Sequence, residues 1–434
     1  MGARSTIFLP FDNLGLIIVD EEHENSFKQY DPAPRYHARD VAMVLASYHN
    51  AKVLLGSATP SIESYWQAQQ GKYGLVNLFT RHGAVQMPEI QVADVKKETF
   101  QKSMQANFTS LLIQAMEEAF RNKEQIILFQ NRRGYSPRWQ CETCGWTPMC
   151  IQCDISLTYH KSRHILTCHY CGHQEAPPKK CGACGSSALK MVGFGTEKIE
   201  DDIAGIFPEK RVFRMDYDTT RSKNSYSQII TDFENGNIDI LVGTQMVTKG
   251  LDFKNVGLVG VMDASQLLYF PDFRAYERAY QVMSQVAGRA GRDKKRGKVI
   301  VQSHQPEHWV ILKVIENDYK GLYESEILER QEFNYPPFSR LIRVTVRHVD
   351  KALTERGANE LASHLKQSFG EMIIGPEYSS VERIRNQYNL HIMIKFKRDM
   401  SHTRIKNRLR EVVEDFHSQP AMRPVRVVID VDPF

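Results

Sequence analysis

The chain has 434 residues, 42% hydrophobic and 25% charged, with a formal net charge of +5. At one domain per ~150 residues this suggests about three domains of ordinary globular composition, and it excludes a disordered or collagen-like chain. No apolar run approaches the ~18 residues of a membrane span, so no membrane partner is expected. Residues 1–10 carry no signal-peptide pattern, which points to the cytoplasm, and the mild positive charge is compatible with a nucleic-acid partner.

In chain order, residues 14–19 (LGLIIV) are rich in β-branched residues and predict a buried strand of a parallel sheet. Asp20, Glu21, Glu22 and His23 follow where that strand ends. Ligands bind outside the carboxyl ends of strands in open α/β sheets. An acid there can hold Mg²⁺ and a second can activate water for attack on a phosphate; a solvated acidic turn is the alternative. Residues 24–39 alternate aromatic, amide and basic groups around Pro32 and Pro34, a loop composition. Phe27, Tyr30 and Tyr36 can stack on bases while Lys28 and Arg35 meet phosphates, or the rings can simply pack on the domain.

A helix is predicted over 41–49 and a second strand over 51–55. The latter ends in Gly56-Ser57-Ala58-Thr59-Pro60. Ser57 and Thr59 can hydrogen-bond between neighbouring sites or serve as plain helix caps. The stretch around Met87-Pro88-Glu89-Ile90 suggests an inter-domain crossing, followed by an amphipathic helix over 111–122 and an apolar strand over 125–130.

All eight cysteines fall between residues 141 and 184, as four Cys-x-x-Cys pairs. A disulfide framework belongs to small secreted chains, so thiolate-bound zinc is the better reading. Eight thiols make two Cys₄ sites. The spacing nominates a nested arrangement, Cys141, Cys144, Cys181 and Cys184 on one Zn²⁺ and Cys150, Cys153, Cys168 and Cys171 on a second. Sequential pairing also satisfies the spacing.

The alternating α/β pattern resumes after residue 189, with strands predicted over 211–215, 238–242, 256–262 and 298–302. A helix over 275–290 carries Gln285, Arg289 and Arg292, and on that helix the two arginines share a face, as residues three apart do. Paired guanidinium groups suit the charge of a transferred phosphoryl group. Gly288 and Gly291 allow close approach to a partner surface. Residues 341–431 predict a β-α-β-β-α-β order, a small ferredoxin-like α+β domain. Its stretch 395–410 holds seven Lys and Arg against Asp399, a candidate phosphate-contacting patch or a solvated helix face.

Taken in order, Asp20-Glu21-Glu22-His23, Gly-Ser-Ala-Thr-Pro at 56–60, the eight-cysteine insert, Thr248-Lys249-Gly250-Leu251-Asp252-Phe253 and the box from Gln285 to Arg292 resemble the primosomal replication-restart helicases of superfamily 2 along the whole chain. The resemblance implies two RecA-like helicase lobes with ATP between them, a two-zinc Cys-rich insertion in the second lobe and a C-terminal ferredoxin-like domain. The implied boundaries are 1–122 for a partial lobe 1, 123–305 for lobe 2 with its insertion at 139–188, 306–338 for a helical connector and 339–434 for the last domain.

It further implies that Asp20 holds Mg²⁺ with ATP and Glu21 activates water. Gln285, Arg289 and Arg292 would meet the γ-phosphate, with Gly250 and Asp252 also at the nucleotide. Residues 24–39, with Ser57, Thr59 and Thr248, would couple DNA binding to hydrolysis. The zinc ligands would pair in the nested way. The activity implied is 3′→5′ unwinding of forked and single-stranded DNA at stalled forks. The implied partners are single-strand-binding protein and the primosome proteins PriB and DnaT, in the nucleoid-associated cytoplasm. One departure is large: the family's Gly-Lys-Thr phosphate loop has no counterpart here, since Gly-Lys occurs only at 71–72 and 297–298, followed by Tyr73 and Val299. The chain therefore reads as a C-terminal part of such a helicase, with little or no ATP hydrolysis expected of it alone.

Overall fold

The computed structural model describes residues 2–78, 87–131, 138–151, 155–160, 164–168, 172–192, 196–216, 219–220, 223–248, 253–291 and 296–433. The chain forms two compact units, one built chiefly from residues 1–76 and 325–434, the other chiefly from 77–168 and 173–324.

In the first unit, strands Leu16–Val19 and Lys52–Leu55 pair in parallel, joined by helix Ala38–His49. The helix turns Ala42 and Ala46 inward and ends at Asn50, whose left-handed φ of 52° lets the next N–H, that of Ala51, turn back to the Ala46 carbonyl. The expectation of a fully buried strand does not hold: Leu16, Ile18 and Leu54 are each more than half exposed. The reason is geometric, because this sheet has only two strands among the described residues and alternate side chains leave one face open. Helix Ile62–Gln69 follows, N-capped by Ser61, whose side chain accepts from the Ser64 N–H.

The same unit holds the C-terminal domain. Strands Ser339–His348, Ile373–Ile384, Gln387–Lys397 and Arg426–Val431 form an antiparallel sheet in which the second and third pair at one side and the first lies between the third and the fourth. With helices Lys351–Phe369 and His402–Ser418 this is the predicted β-α-β-β-α-β arrangement. Arg385 and Asn386, both at positive φ, make the tight hairpin turn between the middle strands. Ile342, Val344, Val346, Ile392 and Ile394 pack under the two helices with Leu361, Leu365 and Phe416. Residues of opposite parity line the other face of the sheet.

The second unit is built on a six-stranded all-parallel sheet. Its spatial order is Val212–Met215, Ile240–Gly243, Gln125–Phe129, Val256–Val261, Lys298–Ser303 and Glu89–Asp94. The central strands are apolar apart from Gln125 and buried on both faces, as parallel strands are. Two of the expected boundaries shift here. Residues 89–94 are an edge strand rather than a crossing, and helix Ser110–Arg121 packs its buried Leu112, Ala115 and Met116 in a core shared with this sheet. Both therefore belong with the second sheet and not with a lobe 1 ending at 122. The apolar positions Ile90 and Val92 carried this signal, masked by the polar residues between them.

Helix Ala275–Ala287 ends three residues earlier than predicted. Gly288 caps it, and Arg289 sits in the following turn, with Arg292 outside the described residues. The shared-helix-face argument for the two arginines therefore lapses. Gly291 is required by its φ of +70°, from which its N–H donates to the Val256 carbonyl.

Candidate functional site: acid box and cysteine cluster

Each acid after strand Leu16–Val19 has a different environment. Asp20 is exposed, and its Oδ1 accepts from the Glu21 N–H at 3.0 Å. Glu21 has φ +49°, an uncommon conformation for a non-glycine residue, and its carbonyl accepts from the Glu24 N–H. Strain of this kind gathers at functional turns. Glu22 is buried at 1% exposure. Its carboxylate accepts from the Ser61 N–H, the Ser61 hydroxyl (3.1 Å), the Ser64 hydroxyl (2.9 Å) and the Arg39 guanidinium (2.8 Å). Against the desolvation that burial imposes, Asp40 and Glu22 raise the pKa of Arg39, so its guanidinium stays charged. Glu22 thus ties the acid box to the helix after Pro60, a role its place in the motif does not announce.

His23 makes the second tie. Its Nδ1 lies 2.7 Å from the Ser57 hydroxyl, which also accepts the Thr59 N–H at 3.0 Å. The two strand ends are joined as well by the Glu22 N–H donating to the Gly56 carbonyl at 3.0 Å. The acid box and the Gly-Ser-Ala-Thr-Pro turn therefore form one hydrogen-bonded assembly, in which a displacement at one turn is felt at the other.

The loop that follows is partly as expected and partly not. Tyr30 is exposed, and Tyr36 packs edge-on against Phe8 with ring centroids 4.7 Å apart. Phe27 faces His37, at 6.5 Å between ring centroids. Lys28, expected to face DNA, is buried at 2% exposure. Its ammonium pairs with Asp430 at 2.9 Å and donates to the Arg35 carbonyl (3.1 Å) and the Val431 carbonyl (2.7 Å). A buried, paired ammonium cannot meet a phosphate; it fastens the loop to strand Arg426–Val431. A Lys in a polar loop gives no sequence signal of its distant partner.

In the second unit, Gln285 and Arg289 are half-buried. Thr248 ends the one-turn helix Gln245–Thr248. Gly250, Asp252 and Arg292 lie outside the described residues.

Cys141, Cys144, Cys181 and Cys184 bring their sulfur atoms within 4.8 Å of one another. Cys141 and Cys184 are 3.7 Å apart, and Cys144 and Cys181 are 3.4 Å apart. A tetrahedral Zn²⁺ with Zn–S bonds of about 2.3 Å needs sulfurs about 3.8 Å apart, so the donor set fits the ion. Both pairs sit in the same turn, in which the N–H of Gly145 or Gly185 donates back to the carbonyl of the first cysteine. Each glycine is left-handed, φ +76° and +73°. That Cys-x-x-Cys-Gly signature was in the sequence and went unread. Burial raises the Cys181 thiol, but the N–H groups of Cys184 and Ala183, each 3.4 Å from its sulfur, bring it down to about 7. Such donors favour the thiolate a metal needs. Cys150 and Cys168 are buried, and Cys153 and Cys171 lie outside the described residues. His164 is a hydrogen-bond partner of Tyr159 at 2.7 Å.

A parallel α/β sheet, an acid box wired to a Ser-Ala-Thr turn and a four-thiol cluster define a helicase-like protein with a zinc ribbon. Residues 194–294 match the helicase conserved C-terminal domain, 150–175 the PriA DNA helicase Cys-rich region domain, and 331–434 the primosomal protein N C-terminal domain. Over its whole length the chain is similar to replication restart proteins named PriA. It is 42% identical over 436 residues to replication restart protein PriA of Bacillus subtilis, covering 100% of this chain and 54% of that protein. The PriA proteins of Synechocystis (39%, covering 91% and 49%) and Haemophilus influenzae (37%, covering 100% and 58%) are similar in the same way. The chain spans about half the length of the curated relatives it matches. No helix among the described residues is long and apolar enough to cross a membrane.

Proposed function

We propose that this chain supplies the hydrolytic, zinc-binding and C-terminal parts of an ATP-dependent 3′→5′ DNA helicase that restarts replication at stalled forks in the bacterial cytoplasm. The single observation that carries the reading is the hydrogen-bonded joint of His23 to Ser57 and Glu22 to Ser61. It couples the turn that would bind the nucleotide to the turn next along the sheet edge. In this reading Asp20, exposed at the strand end, holds the Mg²⁺ that accompanies ATP, which neutralises phosphate charge. Glu21 accepts the proton of the attacking water, and its left-handed backbone presents the carboxylate beyond the strand. Arg292, with Arg289 and Gln285, stabilises the transferred phosphoryl group.

Two Zn²⁺ ions, one on Cys141, Cys144, Cys181 and Cys184 and one on the remaining four cysteines, hold the ribbon together. Forked and single-stranded DNA is the substrate. Single-strand-binding protein and the primosome proteins PriB and DnaT are the partners the family likeness supports.

A second reading follows from one observation: no Gly-Lys-Ser/Thr phosphate loop occurs in the sequence. In that reading the 434-residue chain alone is a zinc-bearing DNA- and partner-binding module. Joining the chain to the phosphate-loop segment of a close relative, then measuring fork unwinding with and without Glu21→Gln, separates the two. Unwinding that Glu21→Gln abolishes supports the motor. DNA binding without unwinding in the joined protein sinks it.

A further inference from the structure

Helix Ile62–Gln69 is tied to two different parts of the first unit. Its first turn is fastened to the acid box, since the buried Glu22 carboxylate accepts from the Ser61 N–H and from the Ser61 and Ser64 hydroxyls. Its other polar and aromatic side chains meet the segment that leads into the C-terminal domain. Glu63 lies 3.5 Å from the guanidinium of Arg330, itself 2% exposed. Arg330 also pairs with Glu326 at 3.4 Å and donates to the Pro336 carbonyl at 3.2 Å. Trp66 meets Phe338 edge-on, with ring centroids 6.0 Å apart, and the Arg398 guanidinium lies over the Trp66 ring, 4.7 Å from its centroid. Arg398 in turn donates to the Pro337 carbonyl at 3.4 Å. The turn at 335–338, with Arg330 and Arg398, is thus a socket for Glu63 and Trp66. Desolvation offsets much of what a buried pair such as Arg330 with Glu326 adds to stability. What the socket does supply is direction, because a planar guanidinium fork and a stacked ring each fix orientation as well as distance.

We propose that Glu63, Trp66, Arg330 and Arg398 form a strut by which the C-terminal domain fixes the acid box in place, which makes them positioning residues for ATP hydrolysis. The proposal deepens the motor reading above and rests on it. The eight-residue helix is a rod about 12 Å long, so a shift at the socket is delivered to Ser61 and from there to Glu22. The Glu22 N–H is held by the Gly56 carbonyl, and the Glu21 carbonyl by the Glu24 N–H. Glu21 therefore stands between two fixed points, and its carboxylate moves when Glu22 does. Lys28 gives a second tie to the same domain through Asp430 at 2.9 Å. One tie would let the strand end pivot; two, on either side of it, hold it. A displacement well under 1 Å at a catalytic carboxylate is enough to slow the chemistry while leaving nucleotide binding intact.

The test cuts the strut with Glu63→Gln and Trp66→Leu together, which leaves Ser61, Ser64, Arg39 and Glu22 in place and Arg330 paired with Glu326. In the 434-residue chain, hydrogen–deuterium exchange read by mass spectrometry is expected to speed up about tenfold at the Glu22, Glu24 and Ser61 amides, with strands Ser339–His348 and Gln387–Lys397 exchanging as in wild type. Trp66→Phe keeps a ring under Arg398 and is expected to stay near wild type. Wild-type exchange at those three amides in the double variant overturns the strut, and so does equal acceleration in the two C-terminal strands, which would mean general loosening. In the same chain joined to a relative's phosphate-loop segment, the double variant is expected to lower kcat for ATP hydrolysis about tenfold with KM for ATP within about twofold. An unchanged kcat, or a rise in KM alone, overturns the positioning role. A joined wild-type chain that hydrolyses no ATP removes the motor reading and this role with it, a failure that the exchange data tell apart because they need no hydrolysis.

Discussion

Glu22 and Arg39 bear most directly on the acid box. A carboxylate at 1% exposure with four donors is a structural anchor as much as a member of a motif. Glu22→Ala removes the buried carboxylate of the Arg39 guanidinium and leaves it Asp40 and the Ser61 and Ser64 hydroxyls, which costs about 3 kcal/mol. Replacing both, Glu22→Ala with Arg39→Met, recovers part of that loss, and urea unfolding of Glu22→Ala, Arg39→Met and the double variant checks it through the pair's coupling. His37 supplies a pH dependence. Burial first, then Arg39, lowers its pKa to about 3, so it is neutral in the fold and protonates near 6.5 once unfolded. The unfolded state then binds the extra proton, and stability is full above about pH 6.5 and falls as pH drops toward 3. His308, lowered by burial to about 4, acts in the same sense. Unfolding midpoints at neutral and mildly acid pH test this, and His37→Phe should flatten the decline. Lys28 marks the limit of sequence reading at this scale. Its type and its polar neighbours fit a DNA contact, while its partner Asp430 lies about four hundred residues away in sequence.

Among the elements, the zinc knuckles are the most legible, because a metal site is written in local spacing. The separation of the cysteine pairs nominates a nested pairing beside a sequential one, and the sulfur distances of the outer four agree with the nested one. The prediction is two Zn²⁺ per chain by metal analysis, falling to about one in Cys141→Ser with Cys184→Ser, with the parallel sheet still folded by circular dichroism. Strong periodic segments were read in type and order, as in the β-α-β-β-α-β run to which helix Lys351–Phe369 and strand Gln387–Lys397 belong. Edge strand Glu89–Asp94 was not, since its polar alternation resembles a linker and only its ladder to Lys298–Ser303 makes it a strand. The helix end before Arg289 was misread for a related reason. A glycine at 288 and a second at 291 describe a cap and a turn, and reading them as close-approach sites extended the helix.

Across the whole molecule, the sequence motifs and the fold agree on a helicase-like chain with a zinc ribbon and a ferredoxin-like C-terminal domain. The acids, the Ser-Ala-Thr turn and the arginine box are present in the sequence, and the loop that cradles β- and γ-phosphates is not. Nucleotide hydrolysis should therefore depend on a segment this chain does not contain. The measurement that bears most directly on this is ATP hydrolysis, with and without single-stranded DNA, by the purified 434-residue chain and by the same chain joined to a relative's phosphate-loop segment. The account predicts background hydrolysis by the first and DNA-stimulated hydrolysis, abolished by Glu21→Gln, by the second. DNA-stimulated hydrolysis by the 434-residue chain alone, lost in Glu21→Gln, would contradict it.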